Sequence, residues 1–378
     1  MPPFLLNPAI TFLNHGSFGA TPRPVFNAYQ RWQAELEQQP VEFLGRRITS
    51  LLADSRAALG AYLNAPADDL IYYPNPTTAL NMVIKSLALH PGDEILTSDH
   101  EYGALDRTWT FVCERSGARY IHTPIPLPVT TAADFVERIW SQVTPRTRVL
   151  FLSHLTSPTA LIFPIAELIH RARQHNILTV IDGAHVPGHL PLDLTALDAD
   201  MYVGALHKWL CAPKGAAFLY ARRALQPRLH PLVVSWGWRP DPGWPTITPF
   251  VDENEWQGTC DYSAFLTVPT AIDYHRQHIA PHQPACRELA RAAAAEINAL
   301  TGLPPIAPLT DDWLGQMAAV RLPAGTDTAR LKQRLYDDYH IEVPLVVWSG
   351  QPFLRLSVQV YNTLADIEQL LMALRALL

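Results

Sequence analysis

Between about residues 70 and 220 the chain alternates short apolar runs with stretches whose apolar residues recur at helical spacing. Leu70-Ile71-Tyr72-Tyr73, Glu94-Ile95-Leu96-Thr97 and Arg119-Tyr120-Ile121-His122 read as strands. So do residues 148–153, Leu178-Thr179-Val180-Ile181, Met201-Tyr202-Val203 and Ala217-Phe218-Leu219-Tyr220. Helices are predicted over 77–89, from about 103 onward, and over 165–175. Such strands, alternating with helices, imply an α/β fold: a buried, mostly parallel seven-stranded sheet with helices on both faces. In such sheets ligands bind at the carboxyl ends of the strands.

Past residue 261 the pattern changes. Residues 262–300 read as mainly helical, with the strongest helix-forming run at 287–300. Strands near 317–321 and 353–357 and helices near 328–338 and 363–377 then predict a smaller C-terminal α+β domain. The expected division is a large domain over 20–261 and a small one over 262–378, with 1–19 an arm that packs on either.

Composition narrows the function class. The chain has 378 residues, 48% hydrophobic and 17% charged, with a net charge of −6. That is a globular balance, and it argues against a nucleic-acid surface, which needs a basic excess. No basic leader region opens the sequence and no apolar run approaches a membrane span, so a soluble cytoplasmic protein is expected. Cys113, Cys211, Cys260 and Cys286 are scattered without a CxxC pair, which predicts free thiols and neither a zinc site nor a disulfide framework.

The chemistry concentrates at predicted strand ends. Asp182 closes the run Thr179-Val180-Ile181, and Lys208 follows the next strand, between His207 and Trp209. A strand-end aspartate and a partly desolvated lysine are the minimal kit for holding pyridoxal phosphate (PLP). The lysine supplies an imine nitrogen, and the carboxylate keeps the pyridine nitrogen protonated. Taken singly, a capping aspartate and a solvated lysine would look the same. Thr77 and Thr78 stand where a helix begins, a position suited to a phosphate and equally to plain capping. His185 and Ser157 are placed to reach the cofactor's phenolic oxygen, and His207 its phosphate. His100 or Tyr102 would stack on its ring, and the residues do not rank one above the other. Trp236, Trp238 and Trp244 form either an aromatic wall over a substrate or a packed loop. Arg46 and Arg47 are candidates for a second anionic group or surface arginines.

Taken in order, these segments resemble the class V branch of the fold-type-I PLP enzymes, and more narrowly the isopenicillin N epimerase-like and hercynylcysteine sulfoxide lyase-like proteins. The matching stretches include Leu13-Asn14-His15-Gly16-Ser17-Phe18-Gly19, Asn75-Pro76-Thr77-Thr78, Asp99-His100-Glu101-Tyr102, Ser153-His154-Leu155-Thr156-Ser157, Asp182-Gly183-Ala184-His185, His207-Lys208-Trp209, Gln257-Gly258-Thr259 and Arg355-Leu356-Ser357. The resemblance implies Lys208 as the Schiff-base lysine, Asp182 as the pyridine partner, and Thr77, Thr78 and His207 on the phosphate. Gly258 and Thr259 would reach the phosphate of a neighbouring subunit, which implies a homodimer with shared active sites. Arg355 would clamp the substrate α-carboxylate with its planar fork, and Asn14 and His15 would lie near the substrate. Ser157 departs from the asparagine of many class V enzymes.

An amino-acid substrate follows, with Lys208 removing its α-proton. β-Elimination from a cysteine S-conjugate or sulfoxide needs one base. Epimerisation needs a donor on the opposite face, for which Tyr102, His100 and His15 are the candidates. A desulfurase needs a mobile cysteine shortly before the carboxylate-binding arginine, and residues 287–355 contain none. The reading therefore favours a C–S lyase, with an epimerase as the alternative, ahead of an aminotransferase or an inactive scaffold.

Overall fold

The computed structural model describes residues 4–243 and 245–378, so Trp244 lies outside the described residues. Seven strands, β1 (Leu70–Tyr73), β2 (Glu94–Ser98), β3 (Arg119–Thr123), β4 (Thr147–Ser153), β5 (Leu178–Asp182), β6 (Met201–Ala205) and β7 (Ala217–Ala221), form one sheet. Their order is β1-β7-β6-β5-β4-β2-β3. The pairs from β3 through to β6 are parallel. Only β7 runs against its neighbours, β1 and β6.

The continuous apolar runs are explained by burial on both faces. Val149 and Phe151 point into one hydrophobic core, and Leu150 and Leu152 into the other. The exception is β3, whose outer residues are partly exposed because it forms the edge of the sheet.

A second, antiparallel sheet of β8 (Met317–Arg321), β9 (Leu345–Trp348) and β10 (Gln351–Ser357) has the order β9-β10-β8. Ser349 and Gly350, at φ 49° and 75°, close the β9–β10 hairpin with the left-handed backbone such a tight turn needs. Helices Gln283–Thr301, Thr328–Tyr339 and Leu364–Leu377 cover this sheet around a third core. Tyr262, Phe265, Val268 and Ile272 belong instead to the first core. The change from the first core to the third comes with helix Gln283–Thr301.

The N-terminal arm has one clear seat. Thr11–Phe12 pair in parallel with Ile341–Glu342, Asn14 bridges Ser357, and Leu13 lies in the third core. The arm thus folds onto the small unit before crossing to the large one. Among the described residues no helix is long and apolar enough to cross a membrane.

Candidate active site

Strands β4 and β5 end side by side, with Ser153 paired to Asp182. Gly183 follows because the backbone turns against Tyr202 there: a Cβ at this position would sit 2.1 Å from the tyrosine ring. Above these ends lies a cavity of about 240 Å³ lined by Asp182, His185, His207, Lys208, Thr77, Tyr102 and Ser157, among others.

Lys208 enters this cavity from the turn after β6. Its Nζ lies 3.1 Å from His185 Nε2. Burial, opposed by Asp182 and aided by Arg355, pushes the amine down to about 8. Burial, then the positive charges of Lys208 and Arg355, push His185 well below its ordinary range. With Nε2 accepting from the ammonium, the His185 ring proton sits on Nδ1, a buried atom without a partner. Asp182 is 4% exposed, and its Oδ1 accepts from the Ala184 N–H at 2.9 Å. Burial raises its pKa, the Ala184 N–H and Lys208 lower it, and burial wins. An added positive charge here would be strongly stabilised.

The other end of the cavity is the start of helix Pro76–Ser86. Asn75 caps it, accepting from the Thr78 N–H at 2.8 Å and the Thr78 hydroxyl at 3.0 Å. Asn75, Pro76 and Thr77 line the cavity, so the positive end of the helix faces it. The Thr78 hydroxyl, expected on a phosphate, is already committed to the cap. His207 Nδ1 donates to the Ala216 carbonyl at 3.1 Å, leaving Nε2 as its second site. Burial holds this imidazole down to about 4, and a bound anion would draw a second proton onto it.

Arg355, on β10, reaches the same region from the small unit. Nη1 donates to the Ser157 carbonyl and hydroxyl, and Nη2 to the Ser17 hydroxyl. The side chain is 5% exposed, and Nε is buried without a partner. Burial pushes the guanidinium down to about 10, and no carboxylate among the described residues offsets it. Ser157 lines the cavity, and its hydroxyl accepts from Arg355 while keeping its own proton to donate.

Several expected site residues lie elsewhere. His100 is fully buried outside the cavity. Its Nδ1 bonds Thr159 Oγ1 at 2.7 Å, its Nε2 bonds the Ile125 carbonyl at 2.9 Å, and its ring packs on Trp348 at 4.2 Å. The chain turns at the end of β2 so that His100 points into the interface with the small unit, while Tyr102, 46% exposed, lines the cavity. The short helix His15–Phe18 does the same: His15 turns into the core, and Ser17 and Phe18 face the cavity. Asn14 donates to Glu342 at 2.8 Å. Gly258 and Thr259 line no part of their own chain's cavity. Arg47 is committed to Glu35 and Glu42, and Arg239 stacks over Trp238 at 4.3 Å.

Sequence reasoning missed Asn75, Ser17 and Phe18. Only Asn75 carried a signal, an Asn-Pro pair at a helix start. It also missed Glu101, a buried carboxyl that accepts from the Ser98 hydroxyl at 2.6 Å and from the Ser153 N–H and hydroxyl at 2.9 and 2.6 Å.

The description of class-V aminotransferases matches residues 19–370. The chain belongs to the aminotransferase class-V family. It is 39% identical to the isopenicillin N epimerase of Amycolatopsis lactamdurans, over 98% of this chain and 96% of that protein. It is 29% identical to the putative L-cysteine desulfhydrase 1 of Oryza sativa subsp. japonica, over 95% of this chain and 81% of that protein. Among solved structures, the cystine C–S lyase C-DES in complex with cysteine persulfide superposes with a TM-score of 0.83 at 24% identity, covering 97% of this chain and 98% of that one. That likeness establishes the shared fold-type-I architecture.

As a class-V member the chain is a PLP-dependent enzyme. Its residues suit that cofactor on their own geometry: a desolvated carboxyl for a pyridinium, an unpartnered His185 Nδ1, a capped helix start facing the cavity, and a lysine with a depressed pKa.

Proposed function

We propose that this protein is a PLP-dependent C–S lyase that cleaves a cysteine S-conjugate or sulfoxide, acting in the cytoplasm as a homodimer with shared active sites. The observation that carries the reading is the pairing of one base with one carboxylate site: Lys208 with its depressed pKa, and Arg355 buried without a carboxylate partner among the described residues. An α-amino acid offers one group to each.

When bound, PLP draws electrons from Cα and lowers the barrier to losing the bond held perpendicular to its ring. Asp182 would hold the pyridinium proton. Thr77, the Asn75-capped helix start and His207 would hold the phosphate, with Gly258 and Thr259 of a second copy. Tyr102 would lie against the ring. Arg355 fixes the substrate carboxylate with its fork, so that the α-proton faces Lys208. Lys208 Nζ takes that proton, the Cβ–S bond breaks with its electron pair leaving on sulfur, and the three-carbon remainder hydrolyses to pyruvate and ammonia.

Further observations support this reading. The similarity to L-cysteine desulfhydrases extends over nearly the whole chain. Desulfuration through a carrier persulfide lacks its nucleophile: Cys286 is buried and no cysteine follows it. The four free thiols suit a reducing compartment. Phe18 at 72% and Tyr102 at 46% exposure leave an apolar mouth for a second copy to cover.

Epimerisation is the second reading, favoured by the 39% and 36% identity to isopenicillin N epimerases. It would need Tyr102 as its second proton donor, since the rings of His100 and His15 are buried and bonded elsewhere.

The test is proton NMR in D₂O of the PLP-loaded protein with cysteine S-conjugates, their sulfoxides and plain amino acids, with Lys208→Ala as the blank. Pyruvate and ammonia from a sulfur-bearing substrate are expected. Exchange of the α-proton with appearance of the opposite enantiomer, and no pyruvate, would replace the lyase by the epimerase.

A further inference from the structure

Behind the cavity, two imidazoles grip the backbone of the Lys208–His185 pair. His15 Nε2 donates to the Lys208 carbonyl at 3.1 Å, and its Nδ1 accepts from the Tyr361 hydroxyl at 3.0 Å. His189 Nδ1 donates to the His185 carbonyl at 3.0 Å, and its Nε2 accepts from the Gln316 N–H at 2.6 Å. Trp209, next to the lysine and fully buried, lies between the two rings, stacked on His189 at 3.9 Å and against His15 at 5.0 Å.

Each hydrogen-bond pattern selects one neutral tautomer. Burial first, with Lys214 also lowering His15 and with His15 and Arg287 also lowering His189, keeps both rings uncharged. Cys211 Sγ, at 3.7 Å, and the Gln359 side-chain nitrogen, at 3.4 Å, also lie against His15 Nε2. Neither ring lines the cavity.

The outer partners matter most. Gln316 precedes β8 and Tyr361 follows β10, and both belong to the small unit that also carries Arg355. His15 itself arrives on the arm that is paired to that unit. The arm sits tightly: a Cβ on Gly19, at φ 69°, would fall 2.0 Å from the His207 carbonyl. A carbonyl at each end of the reacting pair is thus held through an imidazole whose far nitrogen is held by the unit that binds the carboxylate.

Building on the proposed role of Lys208 as base, we propose that His15 and His189 are positioning residues that fix the Lys208–His185 contact by tying its backbone to Tyr361 and Gln316 of the small unit.

The experiment uses the PLP-loaded full chain and the variants His15→Phe, His189→Phe, His15→Gln, His189→Gln and Tyr361→Phe. The phenylalanine variants keep a ring beside Trp209 and lose both hydrogen bonds. The glutamine variants restore a donor. Two quantities are read: the pH midpoint of the cofactor's visible absorbance, and kcat and KM separately. Lys208 faces Asp182, His185 and Arg355, which are unchanged in every variant, so a midpoint shift reports its placement.

Both phenylalanine variants are expected to move the midpoint by about half a pH unit or more and to lower kcat about 10- to 100-fold, with KM changed far less. Glutamine should recover part of each loss. Tyr361→Phe, the mildest change, should move both quantities the same way by less, and it keeps the test open if a histidine variant fails to fold. Wild-type midpoint and kcat with only a lowered melting temperature would reduce the two histidines to packing and overturn the proposal. A wild-type protein with no cofactor absorbance would instead sink the assignment of Lys208.

Discussion

Arg355 Nη1 donates to both the carbonyl and the hydroxyl of Ser157, at 2.5 and 3.1 Å, so a small-unit guanidinium is anchored on a large-unit loop. No carboxylate among the described residues neutralises it. Leaving such a cation buried and unpaired costs stability, a cost that the proposed binding of a substrate carboxylate would offset.

Arg355→Met should therefore raise KM on the order of 100-fold, the loss typical of a broken buried charge contact. Its melting temperature should be unchanged or higher. Arg355→Lys keeps the charge without the fork and should fall between. Steady-state kinetics beside thermal melts check both. A Met variant that melts early with normal KM would mean that the guanidinium is structural.

Asn75 separates helix capping from phosphate binding. Asn75→Ala removes the acceptor for the Thr78 N–H and should cost about 1 kcal/mol of stability. Asn75→Asp keeps the cap but sets a negative charge at the cavity wall. It should fold as well as wild type and bind PLP at least about tenfold more weakly, as measured by absorbance titration of the cofactor-free protein. Equal PLP affinity in the Asp variant would move the phosphate away from this helix.

Glu101 gives a signed pH effect. Burial pushes it up to about 8, Asp182 adds to the rise, and the hydrogen bonds from Ser153 and Ser98 only partly offset it. A folded-state pKa above the ordinary value of about 4.3 means that the folded protein holds this proton more tightly than the unfolded chain. The associated stability is full below that value and is lost as pH climbs towards 8. Glu101→Gln has no such loss, so its stability relative to wild type should improve steadily from pH 5 to pH 8. Urea melts of cofactor-free protein across that window measure the difference. A difference independent of pH would show that Glu101 is ionised throughout.

The fold was legible because the sheet is buried on both faces: a strand such as Met201–Ala205 carries no polar side to disguise it. Asp182 and Lys208 were legible for a related reason, since strand ends of a parallel sheet converge on one cavity. What sequence could not give was direction across a turn. His100 and Tyr102 are two residues apart with equivalent chemistry, and only the path after β2 sends one into the interface and the other into the cavity. His15 failed likewise: in a four-residue helix the first and third residues face different ways, so the LNHGSFG stretch offered Ser17 and Phe18 where Asn14 and His15 were expected. β9 escaped notice because its residues are only partly buried.

The choice between elimination and epimerisation rests on Tyr102. It is the only one of the three candidate donors that lines the cavity, and no hydrogen bond holds its hydroxyl among the described residues. Elimination uses Lys208 alone, so Tyr102→Phe, which keeps the aromatic ring at the cavity wall, should lower pyruvate formation by less than about tenfold. Inversion needs a proton delivered on the face opposite the lysine. An epimerase carrying Tyr102→Phe would lose about 10² or more in inversion rate, while Lys208 continued to exchange the α-proton of the unchanged enantiomer with solvent. Following deuterium incorporation in each enantiomer separately, alongside pyruvate, distinguishes the two. Retained pyruvate formation leaves the lyase standing. Exchange without inversion makes Tyr102 the second acid of an epimerase.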